Sequence, residues 1–421
     1  MVTIRILLTV SLTHHWPVIQ LDVANAFLHD NLSEEVYMKQ PVVFTDPQHP
    51  THVCKLNKSI YGLKQSLRQW FQKFTSFLHN LGFQFSKADP SLLILNHNNA
   101  YIFILIYVDD ILITGNNSQA IQNILQQLHS AFRLKQLGDV SLFFGIQVVK
   151  TKHDVFLHQE HYARDLLTHA GFSDCKPAAT PLGLKCKEQR DTQPFSDPTH
   201  FWKLAGSLQY LSITRPDIAF ATNSICQHMH QPSNHDYLKL KRILRYMKGT
   251  IDFGLPIKSG NILQLTTYTD ADWAADSSNR KSITEFCTFL GQNLIAWSVK
   301  KQATVAKSST KVEYRSLSAA TSDTIWLRRL LADFNIPQKQ PTTIHCDNTS
   351  TIALAHNPVF HARTKHIEND YHFISDHIKQ GEINIQHISS EDQTADILTK
   401  SLSATRFSTL MSKLTIRSKN D

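Results

Sequence analysis

A multidomain chain of mixed α/β and α+β architecture is predicted from three observations. The first is a run of apolar, β-branched and aromatic residues, Tyr101-Ile-Phe-Ile-Leu-Ile-Tyr107-Val108, that meets Asp109-Asp110 and returns as Ile-Leu-Ile-Thr114-Gly115. Continuous apolar runs of this kind form buried strands, and the Asp-Asp step between two of them makes a hairpin. The second is a helical block after residue 200, set off by a Pro- and charge-rich stretch without periodicity at about 173–200. The third begins near residue 261, where alternating strand patterns give way to strands interleaved with helices, the order of an independent α/β layer.

Taken in order, the first segment, MVTIRILLTVSLTHHW, is a buried helix: its apolar run is too short to span a bilayer, and no small-residue cleavage site follows. Val18 to Leu21 is a short strand ending at Asp22, and Glu34 to Met38 is another. The stretch Lys58-Ser-Ile-Tyr61-Gly62-Leu-Lys64-Gln65-Ser-Leu67-Arg68-Gln-Trp70 opens a helix running to about Gly82. Its basic residues Lys64 and Arg68 either track a phosphate backbone or form a solvated helix face. Gln119 to Phe132 is an amphipathic helix, and Leu137 to Ile146 is strand material. Helical pattern returns at Trp202 and restarts beyond Thr214-Arg215-Pro216-Asp217. Ser233 and Asp236 then form a capping box ahead of Leu240, Ile243, Leu244 and Met247 at helical spacing. Lys241, Arg242, Arg245 and Lys248 take the opposite side, a basic face suited to solvent or to duplex phosphates. Leu263 to Thr269 alternates up to Asp270, and Phe286–Leu290 pairs with Leu294–Val299 across Gly291-Gln-Asn293. Helix from Ser309, strand Thr343–Cys346 before Asp347, helix His366–Ile378, strand around Ile383–Ile385 and a helix opening at Thr394–Asp396 complete the chain.

With 421 residues, two or three domains are expected. A net charge of +8 permits a polyanionic partner without requiring one. The six cysteines are scattered without C-x-x-C spacing, which disfavours a zinc site and suits reduced intracellular thiols. His356, His361, His366, His372 and His377 lack an H-E-x-x-H pattern and are read as polar surface or satisfied core.

The candidate chemistry lies in two acidic sets. Asp22 and the Asp109-Asp110 pair end apolar strands, where uncompensated carboxylates are expensive and a divalent cation is the natural partner. Asp270, Glu313, Asp347 and Asp396 come from two strand ends and two helix starts, the supply of carboxylates that a two-metal nuclease needs.

The motifs LDVANAFLHDNLSEEVYMKQP, KSIYGLKQSLRQWF and YVDDILITG, followed by KRILRYMKGT, resemble the reverse transcriptase of copia-type LTR retrotransposon Pol polyproteins, in that order and spacing. The blocks YTDADWAADSSNRKSITEFCTFLG, KSSTKVEYRSLSAA, IHCDNTSTIALAHNP and DQTADILTKSL resemble the same family's RNase H domain. The resemblance implies a palm with partial fingers over 1–172, a linker and helical thumb or connection over 173–260, and an RNase H-like α/β domain over 261–421. It implies a polymerase centre of Asp22, Asp109 and Asp110 and a ribonuclease centre of Asp270, Glu313, Asp347 and Asp396, each with two Mg²⁺ or Mn²⁺ ions. Phe27 and Gln65 match positions that contact the sugar of the incoming nucleotide, Phe27 excluding a ribose 2′-hydroxyl sterically. RNA template, DNA primer, RNA–DNA hybrid and deoxynucleoside triphosphates are the implied partners, in a cytoplasmic particle and the nucleus, without a membrane or secretion step.

The chain departs from the family pattern at Asp30 (usually Gly), Leu67 (Pro), Glu285 (Gly) and Lys311 (Glu). Family members carry a long fingers segment before the first motif, so an N-terminally shortened element with an impaired polymerase and an intact RNase H set is expected. The alternative is an inactive or domesticated fragment that binds nucleic acid without catalysis; retention of all the acids named above counts against it.

Overall fold

The computed structural model describes residues 1–23, 25–29, 31–151, 154–184, 191–276, 279–357 and 368–421, without the side chains of residues 29, 31 and 33. The chain forms two compact units, one of residues 15–140 and one of residues 1–14 with 141–421. The helix expected at the N-terminus is present as α1 (Val2–His14), but it belongs to the larger unit.

The smaller unit contains β1 (Val18–Val23), a two-stranded ribbon of β2 (Asn31–Lys39) and β3 (Val53–Lys58), α2 (Ser66–Asn80), β4 (Gln84–Phe85), β5 (Leu92–His97), β6 (Ala100–Tyr107), β7 (Asp110–Gly115), α3 (Ser118–Phe132) and β8 (Leu134–Asp139). Its main sheet runs β4-β5-β6-β7-β1-β8, with every neighbouring pair antiparallel. Period-two alternation divides the strand side chains between two faces. Leu21, Val23, Ile102, Ile104, Ile106, Ile111 and Ile113 pack with Trp70, Phe74 and Leu78 of α2 and Ile121, Leu125 and Leu128 of α3. The other face receives Asp22, Tyr107 and Asp110, because each lies one residue out of step with that core set. The second helix begins at Ser66 rather than Lys58, since Lys58 is still paired in β3. Leu67 therefore sits exposed in the first turn of α2, a position that tolerates Pro and helix formers alike, so this departure costs little.

The larger unit continues with β9 (Leu142–Phe143), β10 (Ile146–Lys150), β11 (Asp154–His158), α4 (Glu160–His169), α5 (Pro198–Leu211), α6 (Ala219–Cys226), α7 (Asn234–Gly249) and β12 (Phe253–Lys258). It ends with β13 (Leu265–Asp272), β14 (Ile283–Leu290), β15 (Asn293–Lys301), α8 (Ser309–Asp333), β16 (Thr342–Cys346), α9 (Thr349–His356), α10 (Glu368–Lys379), β17 (Ile383–His387), α11 (Ala404–Lys413) and β18 (Arg417–Ser418). The boundaries expected at 172 and 260 both fall inside this unit. The reason is a five-stranded sheet, β18-β12-β11-β10-β9, that draws strands from all three expected segments.

A second sheet has the order β15-β14-β13-β16-β17. Its first three strands form an antiparallel meander, and β16 and β17 run parallel to β13. Gly291, at φ +59° in the β14–β15 turn, could not carry a side chain, since a Cβ there would lie 2.0 Å from the Asn261 carbonyl oxygen. This is the RNase H-like strand order, with α8 lying along β13 and β14. The register is held by a hydroxyl ladder: Thr267 Oγ1 lies 3.0 Å from both Thr288 Oγ1 and Thr324 Oγ1, and Thr269 Oγ1 lies 2.9 Å from Ser316 Oγ.

The capping box on α7 is present, and Ser233 Oγ accepts from the Asp236 N–H at 3.2 Å. Beneath α7, Arg215 donates to both carboxylate oxygens of Asp217 at 2.9 and 2.7 Å and to the Thr250 carbonyl at 2.7 Å, while Tyr246 donates to Asp217 at 2.6 Å. Arg215 and Asp217 are each 1% exposed, so removing one charge strands the other. Asp217→Asn is expected to destabilise the protein by about 3–5 kcal/mol, read from the denaturant midpoint at unchanged slope.

Candidate functional site

The first acidic set is assembled by strand pairing. Asp22 of β1 and Asp110 of β7 are directly opposed across the ladder, so their carboxylates share one face. Like charges so placed repel unless a cation intervenes. The Gln20 amide reaches Asp110 Oδ1 at 3.4 Å. Asp109 is exposed at the hairpin turn, next to Val108 at φ +58°. A β-branched residue in the left-handed region is strained, and such strain persists only where the surroundings hold it. Here the holder is Trp70, buried in α2, whose indole N–H donates to the Val108 carbonyl at 2.7 Å. From sequence Trp70 reads only as part of a helix; its tie to Val108 joins residues 38 apart.

Asn25, at φ +54°, turns the chain out of β1 into a 3₁₀ turn, Ala26–His29, that carries Phe27. The half-buried Phe27 ring lies 5.9 Å from that of the exposed Tyr61. Gln65 is the residue preceding α2, which packs against this turn, while Lys64 and Arg68 are exposed nearby. Asp30 lies outside the described residues.

The second set is more enclosed. Asp270 lies within β13, two residues before its end, and is 3% exposed. Glu313 lies in the first turns of α8, Asp347 follows β16, and Asp396 occupies a 3₁₀ turn, Thr394–Leu398, where a helix start was expected. Ligand atoms of Glu313, Asp347 and Cys346 lie within 4.8 Å of one another. Lys400 joins the rest: its ammonium is 2.8 Å from Asp396 Oδ1 and 3.4 Å from Asp270 Oδ2. Thr399 Oγ1 donates to Asp270 Oδ2 at 3.0 Å, Arg406 lies 3.4 Å from Asp396, and Ser390 donates to Asp347 at 3.0 Å.

The electrostatics follow from burial. Desolvation raises Asp270 and Glu313 above the ordinary carboxylate range. At Asp270, Lys400 opposes the shift while Asp396 and Asp347 add to it; at Glu313, Asp270 and Asp347 add to it. Burial pulls the Lys400 ammonium down, but Asp270 and Asp396 outweigh it and hold the group charged. Burial also raises the Cys346 thiol, so it remains a neutral neighbour of the acids. Glu313 Oε2 is enclosed with no hydrogen-bond partner. An orphaned carboxylate oxygen among hard oxygen donors fits Mg²⁺ or Mn²⁺. Lys400 was missed from sequence, although its position four residues after Asp396 was a usable signal. Lys311 stands two residues before Glu313 on α8, and positions so spaced do not face each other.

Two of the four basic residues proposed on α7 are committed internally. Arg242 donates to Thr180 O at 3.2 Å and to its hydroxyl at 2.9 Å, and Arg245 donates to Lys176 O at 2.8 Å. They fasten the 176–180 segment to the helix. Lys241 lies over the Tyr237 ring at 5.1 Å, and Lys248 is in the last turn. Of the histidines, His361 and His366 lie outside the described residues; among those described, no histidine joins a metal-type cluster.

A sheet with opposed acids at an Asp-Asp hairpin, and a second sheet with its own buried acids, match what the resemblance to a Pol region of the reverse transcriptase class implies. A family model described as reverse transcriptase (RNA-dependent DNA polymerase) matches residues 1–184. The retrovirus-related Pol polyproteins from transposons RE2 and RE1 of Arabidopsis thaliana are each 42% identical over 413 residues, 98% of this chain. An uncharacterized mitochondrial protein of the same plant is 46% identical over 225 residues, which are 53% of this chain and 94% of that protein. The chain belongs to the family of copia-type, retrovirus-related Pol polyproteins. It spans 28% of the length of the two transposon polyproteins.

Two outcomes test this geometry. Trp70→Phe keeps an aromatic ring but removes the N–H and part of a buried indole, and is expected to cost about 2–3 kcal/mol of stability. It should also loosen the strained turn, read as faster hydrogen exchange of the Val108 to Asp110 amides. For the second centre, the metal-free folded state binds more protons than the unfolded state above the ordinary carboxylate values of 3.8 and 4.5, because Asp270 and Glu313 are raised. Metal-free stability should therefore be fullest at or below those values and fall as pH rises through the neutral range. Divalent ions should reverse the trend, since binding needs the acids ionised. Melting temperatures with chelator and with Mg²⁺ between pH 5 and 9 check both signs.

Proposed function

We propose that the chain acts in RNA-directed DNA synthesis at the first centre and cuts the RNA strand of an RNA–DNA hybrid at the second. The observation that carries this reading is the convergence of carboxylates from separate elements at two places. Asp22 is opposed to Asp110 on one sheet, and Asp270, Glu313, Asp347 and Asp396 gather from a strand, a helix and two loops on the other. What a pair of divalent ions supplies in such places is neutralisation of phosphate charge and activation of the attacking oxygen.

At the first centre, Asp22, Asp109 and Asp110, presented by the hairpin that Trp70 holds, would hold divalent ions that neutralise triphosphate charge. Phe27 lies on the sugar and excludes a 2′-hydroxyl, Gln65 contacts the same sugar, and Lys64 and Arg68 meet template or primer phosphates. At the second, Asp270 and Glu313 face the scissile phosphate, Asp347 and Asp396 complete the ligand set, and Lys400 balances the charge of Asp270 and Asp396. Lys241 and Lys248 meet the duplex backbone, while Arg242 and Arg245 reach it only by releasing their backbone partners. The similarity to transposon Pol polyproteins supports nucleic acid as the substrate class.

The two activities separate by mutation. Asp270→Asn should lower hybrid cleavage by about a hundredfold or more while leaving primer extension intact, and Asp110→Asn should do the reverse. Labelled hybrid and labelled primer–template, each with Mg²⁺, provide the readouts. A parent chain that folds and binds hybrid yet leaves its RNA intact refutes the ribonuclease reading.

A further inference from the structure

Glu285 is an acid that neither proposed reaction uses. It lies in β14, is 0% exposed, and stands directly opposite Asp270 of β13. Opposed residues of an antiparallel pair project to the same face with Cβ atoms about 4.5–5.5 Å apart. Both of its carboxyl oxygens are enclosed with no hydrogen-bond partner. Burial raises this carboxyl well above its ordinary range, and Asp270, Asp272 and Glu313 raise it further against a weaker pull from Lys400. The charges that act on Glu285 therefore include two acids of the second centre, Asp270 and Glu313. Its strand cannot swing it away. The Glu285 carbonyl accepts from Thr269 Oγ1 at 3.1 Å and from Ser316 Oγ at 3.3 Å, part of the ladder that fixes α8 to the sheet.

An enclosed carboxyl without partners is costly, and an apolar side chain of similar volume would avoid that cost. A cation removes it. Lys400 is already shared by Asp270 and Asp396 and makes no ion pair with Glu285 among the described residues. We propose that Glu285 is a fifth carboxylate of the second centre, supplying a ligand oxygen to a divalent ion held between Asp270 and Glu313. The proposal rests on the reading of that centre as a metal-dependent nuclease. Its consequence is tighter retention of that ion, since affinity for hard cations rises with the number of charged oxygen ligands.

The test is calorimetric titration of Mn²⁺ into the full chain carrying Asp22→Asn and Asp110→Asn, so that the first centre does not report. In this background Glu285→Gln and Glu285→Leu are compared with the parent; the leucine variant needs no polar partner and keeps the test valid should the glutamine variant misfold. Both substitutions should weaken Mn²⁺ binding by about tenfold or more. Both should also raise the melting temperature in chelator while shrinking the rise produced by Mn²⁺. Affinity within about twofold of the parent in a folded variant would falsify the proposal, and Glu285 would then be a neutral enclosed acid. A parent that binds no Mn²⁺ at this centre overturns the nuclease reading itself, an outcome distinct from a loss confined to the Glu285 variants.

Discussion

The structure is governed by the cost of keeping carboxylates out of water. Asp270, Glu285, Glu313 and Asp396 are all nearly or fully buried, and Lys400 and Arg406 are the cations that pair with any of them among the described residues. Such a cluster survives only if the scaffold tolerates the charge, and the hydroxyl ladder of Thr267, Thr269, Thr288, Ser316 and Thr324 shows how. Neutral polar groups lock β13, β14 and α8 together just below the acids. The acids are then held close by bonds that do not depend on their own protonation state. Rigidity comes from one layer and charge from the next.

The first centre answers the same cost differently. Asp109 stays exposed and Asp22 and Asp110 are only half-buried, so little desolvation is incurred there. The expense is conformational instead: Val108 occupies the left-handed region, and the Trp70 indole holds it. The first centre is thus an open, strained turn held by the Trp70 indole, and the second a walled cluster held by neutral polar bonds.

Much of this was legible in the chain because it is local. The apolar run into Asp109-Asp110 is a hairpin, Ser233 with Asp236 is a capping box, and the change of period near residue 261 marks a second strand–helix layer. Asp22 was legible as the end of a strand, and its pairing with Asp110 followed from a resemblance rather than from periodicity. What escaped was non-local. Periodicity cannot show that α1 packs with the distant β12 and β15, that Trp70 caps a turn 38 residues away, or that β11 and β12 share a sheet. Nor can it show that Glu285 is enclosed: on a strand pattern a glutamate reads as the solvent side, and only the covering of both faces of β14 makes it a core residue.

The basic face of α7 shows why charge counted from sequence overstates what a polyanion meets. Guanidinium groups carry several donors in a fixed fork, so an arginine beside an irregular segment readily satisfies orphan carbonyls. Arg242 and Arg245 do this for Thr180 and Lys176, giving backbone acceptors in an irregular stretch the partners that regular structure would supply. Lysine, a point charge on a flexible stem, is less suited to that work, although Lys241 and Lys248 are half-buried like the arginines. The division of labour on α7 thus follows side-chain chemistry: Arg242 and Arg245 fasten the fold, while Lys241 lies over the Tyr237 ring.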